Sequence, residues 1–343
     1  MAPTQPSLSV VMPFYNNERT LLPSLRSFIE QLGATASEIL VVDDGQEPKA
    51  HAIIAPHVWP LPVRVLRSGA MGQSAATNIG IRQAQGQIVL LTCADIIATP
   101  TLLQAHLKEH QRGAALGVMG PIRYAPWVHM SPIMQFLAMP GVQFDFDNIQ
   151  DTENVPAKAL YAPNVSMEKK YLMEVGGFDE ALTYGYQDCD LGLRLAQVGV
   201  RFVYRAQALV WHDHPNSVRG YVQRQQRINK FWPLMAKRYP ELAKVDIMSK
   251  HLDHYVPQLG KLDHLTSLAE RADARFGALE TLTQGDLAKL FALFDTLSTL
   301  ATVQGVVSNL ADLQEVLDVG CRPWYAGLSA PGNAQAILAK GPN

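Results

Sequence analysis

Three cysteines in 343 residues, Cys93, Cys189 and Cys321, are too few and too scattered for a disulfide framework, and none forms a CxxC pair. That usage fits a reducing compartment. The opening Met1-Ala-Pro-Thr-Gln-Pro-Ser7 lacks a basic n-region and an apolar h-region, so no secretory signal is expected. No uninterrupted run reaches the ~18 apolar residues needed to span a bilayer. The nearest stretch, Tyr124–Phe144, lacks formal charge but is broken by Pro126, Pro132 and Pro140, and it reads as a loop. Charge of either sign is also in short supply. Lys and Arg total 29 against 31 Asp and Glu, and the resulting net charge of −2 argues against nucleic-acid binding through bulk electrostatics.

Apolar residues are plentiful. At 48% hydrophobic and 17% charged, the chain can build a substantial core, and global disorder is excluded. The length suits one large domain with an appendage, or two modest domains.

The first half alternates between short apolar runs and helical periods. Leu8–Met12, Glu38–Val42, Val63–Leu66 and Ile88–Leu91 are rich in Val, Ile and Leu, as parallel strands covered on both faces require. Helices are expected over Thr20–Leu32, Glu47–Ala55, Ser74–Ala84 and Thr99–Arg112. In the first of these, Leu21, Leu25, Phe28, Ile29 and Leu32 recur at three- and four-residue spacing. This is a doubly wound α/β pattern, in which ligands bind beyond the carboxyl ends of the strands. Asp43, Asp44 and Asp95 all fall at that edge.

Further on, Ala114–Tyr124 is expected to return to the sheet, with strands at Ala159–Pro163, Val200–Tyr204 and Ala208–Trp211. Helices are expected over Val165–Val175, Asp188–Val198 and Ser217–Tyr239. After Pro240 the strand signals end. Leu-rich helical segments follow near 262–276, 279–302 and 305–318, then a Gly/Pro/Ala-rich tail. The expected division is therefore 7–240, a helical region over 241–320, and a loose tail over 321–343.

Several motifs stand in order: Val10-Val-Met-Pro13-Phe-Tyr15-Asn16, Val41-Val-Asp43-Asp44-Gly45, Gly72-Gln-Ser-Ala-Ala-Thr-Asn78-Ile-Gly80, Ala94-Asp95, Gly176-Gly-Phe-Asp179-Glu180 and Gln187-Asp188-Cys-Asp190. None is specific alone. In this order and spacing, over residues 7–235, the chain resembles the family 2 glycosyltransferases, which share the GT-A fold. The fold class expected is thus α/β, a GT-A-like, mostly parallel sheet flanked by helices, with a C-terminal helical region.

The resemblance implies a sugar transferase using a nucleotide-diphosphate-sugar donor, inverting and metal-dependent, in polysaccharide or glycoconjugate synthesis. Pro13, Tyr15, Asp43, Asp44, Asn78 and Asp95 would contact the donor, and a UDP-sugar is the expected form. Asp95 and His212 would hold Mn²⁺ or Mg²⁺, since a hard cation takes carboxylate and phosphate oxygens. Asp188 would be the general base toward a hydroxyl of a glycan or lipid-linked acceptor. Asp179 and Gln187 would touch acceptor or sugar.

Two positions depart from the family pattern. Cys93 stands where an Asp is usual, and Gln187 replaces a Glu. His214 reads as structural, and Asp190 as a partner for Arg194 four residues on. The Tyr124–Phe144 loop could face the acceptor or touch a membrane surface. A cytoplasmic protein is expected, peripheral membrane contact and a homo-oligomer being left open. The rival readings are a catalytically silent sugar-nucleotide-binding module, supported by Cys93 and Gln187, and a nucleotidyltransferase. The second lacks its Gly-rich basic phosphate loop between Leu8 and Leu22.

Overall fold

The computed structural model describes residues 8–32, 37–245, 252–277 and 283–308. The elements begin β1 (Leu8–Phe14), α1 (Glu18–Leu32), β2 (Ser37–Asp43), α2 (Ala50–Ile54), β3 (Val63–Arg67), α3 (Gln73–Gln83) and β4 (Ile88–Leu91). Next come β5 (Ile96–Ala98), α4 (Leu102–His110), β6 (Leu116–Met119), β7 (Ile122–Tyr124) and α5 (Pro132–Leu137). The chain continues through β8 (Val165–Glu168), α6 (Lys169–Glu174), α7 (Gln187–Gln197), β9 (Arg201–Tyr204) and β10 (Val210–His212). The remaining helices are α8 (Val218–Asn229), α9 (Trp232–Arg238), α10 (Pro240–Val245), α11 (Leu252–Tyr255), α12 (Leu262–Gly277) and α13 (Gln284–Val307).

Two compact units result. The first takes residues up to Val128, Ala138–Thr183 and Gln187–His214. Its main sheet runs β3-β2-β1-β4-β8-β6-β9. β3, β2, β1 and β4 pair in parallel, while β8 runs antiparallel between β4 and β6. Leu8, Val10, Val11, Met12, Ile39, Leu40 and Val41 are fully buried, as strands covered on both faces must be. Helix α3 lies so close to this sheet that a Cβ on Gly80 would come within 2.4 Å of the Val11 side chain. A three-stranded sheet, β5-β10-β7, completes the unit.

The second unit takes His129–Leu137, Tyr184–Tyr186 and the chain from Pro215 onward. Helix α13 packs with α8, α12 and α5, burying Phe294, Leu297, Leu300, Ala301 and Val303. Phe136 of α5 meets Phe291 and Phe294. Tyr184 lies under the Arg227 guanidinium at 4.0 Å, and Tyr186 donates to Asn229 Oδ1 at 3.0 Å. By length and composition the stretch Gly285–Val307 could cross a membrane, but half of its apolar window is buried within the unit, as in a core helix.

The sheet-forming runs of the first half appear where expected, and five local expectations are corrected. Val165–Glu168 is a buried strand, and helix begins only at Lys169, because the segment fills the slot between β4 and β6. Ala159–Pro163 is not a strand but part of two tight 3₁₀ turns, at Ala157–Ala159 and Ala162–Asn164. Ser217–Tyr239 breaks after Asn229, and Pro233 sits in the first turn of α9, where its missing N–H costs nothing. Tyr124–Phe144 is not one loop, since it contains α5. Finally, α13 runs unbroken through 303–305, where two helices were expected. Gly305 lies against α8 so closely that a Cβ would come 2.5 Å from the Gln226 carbonyl oxygen. The expected tail over 321–343 lies outside the described residues.

Candidate active site at the strand ends

The small sheet sets the geometry of the first cluster. β10 runs antiparallel to β5 with His212 opposite Ile96, and parallel to β7 with His212 opposite Tyr124. The Asp213 N–H extends the ladder to the Asp95 carbonyl at 2.9 Å. Asp95, one residue ahead of β5, is thereby held beside the end of β10. Side chains two apart on extended backbone share a face, so His212 and His214 project together. Their rings stack 5.1 Å apart at 7°, with Tyr124 against the far side of His212 at 5.8 Å. Asp213 points elsewhere and takes both Arg19 guanidinium nitrogens at 2.9 Å.

Asp95 Oδ2 lies 3.7 Å from His212 Nε2 and 3.3 Å from His214 Nδ1, and it accepts from Asn17 Nδ2 at 3.3 Å. One ligand atom from each of Asp95, His212 and His214 falls within 4.8 Å of the others. Metal bonds of about 2.1 Å meeting at tetrahedral or octahedral angles place neighbouring ligand atoms about 3.0–3.4 Å apart. The triad fits a divalent ion. Burial alone would raise the Asp95 pKa, but hydrogen bonds from the two imidazoles outweigh it and hold the carboxyl well below the usual range. Asp95 therefore stands ionised, ready to act as a ligand. His212 Nδ1 is buried and has no hydrogen-bond partner among the described residues.

A cleft opens at the carboxyl ends of β1 and β4. Pro13, Leu91, Thr92 and Cys93 form one side, Gln73, Ser74 and Thr77 of α3 another, and Ala162, Phe178, Gln187 and Asp188 close it. Asp188 sits in the first turn of α7, where a carboxylate is favoured. Its Oδ2 accepts from Ala162 N at 3.3 Å. Cys93 feels both Asp95 and Asp188, and burial first, then these charges, pushes its thiol pKa well up. A neutral thiol is a poor ligand for a hard cation. Cys93 lines the Asp188 cleft, two residues ahead of Asp95.

The other candidates separate by what their side chains already hold. Asp43 Oδ1 accepts from Gly45 N, and Oδ2 from Lys49 N and Ala50 N at 2.8 Å each, so Asp43 organises the loop into α2. Asp44 Oδ1 takes Ser68 Oγ at 2.5 Å and Gly72 N at 3.1 Å. Tyr15 is exposed beyond β1. Asn78 donates to the Phe178 carbonyl and Glu180 Oε1, and accepts from Phe178 N at 2.8 Å. Its amide pins the Gly177–Glu180 loop, and a Cβ on Gly177, at φ +75°, would lie 2.3 Å from Asn78 Oδ1. Asp179 Oδ1 caps Ala181 N at 2.9 Å and is absent from the cleft lining. Asp190 is buried and paired with Arg194, which also holds the Val175 and Gly177 carbonyls at 2.7 Å each.

The structure adds His214 and Asn17 to the Asp95 cluster and Thr92 to the cleft, where sequence analysis reads His214 as structural and gives the other two no role. The His-x-His spacing after a strand was the available signal for His214. Nothing in the sequence marks the other two.

A mostly parallel sheet with acids at its strand ends, joined to a small sheet carrying Asp95 and His212, defines the GT-A class of fold. The mannosyltransferase PcManGT from Pyrobaculum calidifontis, solved with GDP-Man and Mn²⁺, shares it. That similarity has a TM-score of 0.51 at 18% identity, covering 98% of this chain and 80% of that one. Residues 9–151 match the model of glycosyl transferase family 2.

Among its relatives, the hyaluronan synthase of Pasteurella multocida is 23% identical over 304 residues, covering 77% of this chain. The chain spans 31% of that synthase's length. The uncharacterized glycosyltransferase YfnE of Bacillus subtilis (strain 168) is 24% identical over 286 residues, covering 70% of this chain and 72% of YfnE.

Proposed function

We propose that this protein is an inverting glycosyltransferase that moves a sugar from a nucleotide-diphosphate donor to a hydroxyl acceptor. The observation that carries the reading is the pairing of the Asp95–His212–His214 cluster with the Asp188 cleft, whose lining includes Thr92 and Cys93 just ahead of Asp95. The similarity to a hyaluronan synthase supports polysaccharide or glycoconjugate synthesis, with a glycan or lipid-linked saccharide as acceptor.

Asp95, His212 and His214 would hold a divalent ion, and two imidazoles beside one carboxylate favour Mn²⁺ over the oxygen-seeking Mg²⁺. When bound, that ion supplies charge neutralisation at the donor diphosphate. Asp44, Pro13 and Tyr15 form the edge that receives the nucleoside. Asp43 and Asn78 act behind them, holding the loops that shape the site. Asp188 accepts the proton of the acceptor hydroxyl as its oxygen bonds to the anomeric carbon. The bond from that carbon to the phosphate oxygen breaks, and its electron pair leaves with the diphosphate.

The test is donor binding and turnover across UDP-, GDP- and dTDP-sugars, with Mn²⁺, Mg²⁺ or chelator. Asp188→Asn should lower turnover by about 10²–10⁴-fold, the usual contribution of a general base, with donor binding retained. Donor binding without turnover by the wild type, over a broad acceptor panel, would move the protein to the silent sugar-nucleotide-binding class.

A further inference from the structure

The cleft beside Asp188 is lined by six polar side chains, and most are already engaged. Ser74 Oγ donates to the Leu182 carbonyl at 3.0 Å, and Thr77 Oγ1 to the Gln73 carbonyl at 2.8 Å. Gln73 Nε2 lies 3.7 Å from Cys93 Sγ. Thr92 Oγ1 and Gln187 Oε1 differ. Both atoms are buried, both residues line the cleft, and neither atom has a hydrogen-bond partner among the described residues. Buried polar atoms left this way are rare and unfavourable, and an arriving ligand that completes them recovers the deficit.

We propose that Thr92 and Gln187 read hydroxyls of the transferred sugar, and that this sugar is an uncharged hexopyranose or N-acetylhexosamine rather than a hexuronate. The proposal rests on the glycosyl-transfer reading. Position identifies the moiety. Thr92 is three residues from Asp95, whose cluster would receive the diphosphate, and Gln187 is next to the proposed base. The transferred sugar must lie between those two points. The atoms identify the chemistry. An amide oxygen only accepts, whereas a threonine hydroxyl donates and accepts, and sugar hydroxyls offer both. Charge identifies the class. Among the described residues Asp188 is the one charged side chain lining the cleft, so a hexuronate carboxylate would meet another carboxylate with no cation among them to offset it.

The experiment compares dissociation constants by calorimetry in Mn²⁺, for UDP with UDP-glucose, UDP-N-acetylglucosamine and UDP-glucuronate, and for GDP with GDP-mannose. Wild type, Thr92→Val, Gln187→Leu and the control Ser74→Ala are each measured. At least one neutral-sugar nucleotide should bind more tightly than its own diphosphate. That preference should fall by up to about tenfold in Thr92→Val and Gln187→Leu, the scale of one hydrogen bond, with binding of the bare diphosphate unchanged. The melting temperature of ligand-free Thr92→Val should rise, because the near-isosteric change removes an unpaired hydroxyl. A merely structural threonine would give a fall instead. An unchanged preference in both variants, or a wild type that favours UDP-glucuronate, overturns this inference while leaving glycosyl transfer standing. Failure of every nucleotide to bind would bring down both.

Discussion

Two pairs of histidines in the α/β unit make opposite use of the same ring. His106 and His110 lie one turn apart on α4, and His212 and His214 lie two residues apart at the end of β10. In the α4 pair every hydrogen has a forced direction. Asn164 Nδ2 donates to the Pro121 and Ala208 carbonyls, which turns its Oδ1 toward His106 Nε2 at 3.0 Å. His106 must then be protonated on Nε2, and its Nδ1 accepts from Ser166 Oγ at 2.8 Å. The serine oxygen in turn accepts from His110 Nε2 at 2.8 Å. That network is closed. At β10, by contrast, a buried imidazole nitrogen lacks a partner, and two rings converge on an ionised carboxylate. Burial alone therefore does not separate structural histidines from the proposed metal ligands. Whether the polar valences are filled does.

The sharpest way to break this contrast is to remove Asp95. Asp95→Ala should lower Mn²⁺ affinity by at least ~100-fold, since losing even a ligand's outer partner commonly costs about 10–100-fold. Stability without metal should fall as well, because a carboxyl held below its usual range stabilises the fold while it is ionised. Calorimetric titration of Mn²⁺ and a denaturant melt on the same sample measure both. His106→Leu should leave metal affinity intact while weakening the fold by roughly 2–3 kcal/mol through unpaired Asn164 and Ser166. If His106→Leu also abolished metal binding, the two clusters could not be independent.

Acid tests the closed pair directly. Burial lowers the pKa of both His106 and His110 to about 4, so each binds fewer protons folded than unfolded. Their depressed values contribute stability that is fully present above about pH 6.5 and is lost as the pH falls toward 4. The unfolding free energy should fall over that window by about 3 kcal/mol or less per histidine. In His106→Leu the fall should be shallower. A wild-type profile flat between pH 6.5 and 4 would mean that the network tolerates charge.

The same contrast explains how much was readable from sequence. Strands β1, β2 and β4 announce themselves because both faces are buried, and Asp95 and Asp188 because local motifs surround them. β8 was hidden, since Val-Ser-Met-Glu suits helix or strand until β4 and β6 close on either side. Asn78 sits in a motif that points to the donor, yet its partners Phe178 and Glu180 lie 100 and 102 residues on, and they occupy its amide. The close approach that requires Gly305 is likewise at long range, to Gln226 far back in the chain. Local chemistry is legible, and whether a polar group is already satisfied is not, because the answer sits at long range.

His214 sets the finest division. It is about half exposed and is read as structural from sequence, whereas His212 is largely buried between Tyr124 and His214. A solvated ligand is more easily replaced by water than a buried one, whose loss leaves a desolvated gap beside Asp95. His214→Ala should therefore weaken Mn²⁺ binding by only about tenfold, less than His212→Ala, in keeping with the low end of ligand-support effects. Titrating Mn²⁺ into the two single variants and the double variant decides it. Equal losses in the singles would make exposure irrelevant to the site. No loss in His214→Ala would return that residue to a stacking role and leave Asp95 and His212 as the protein's ligands.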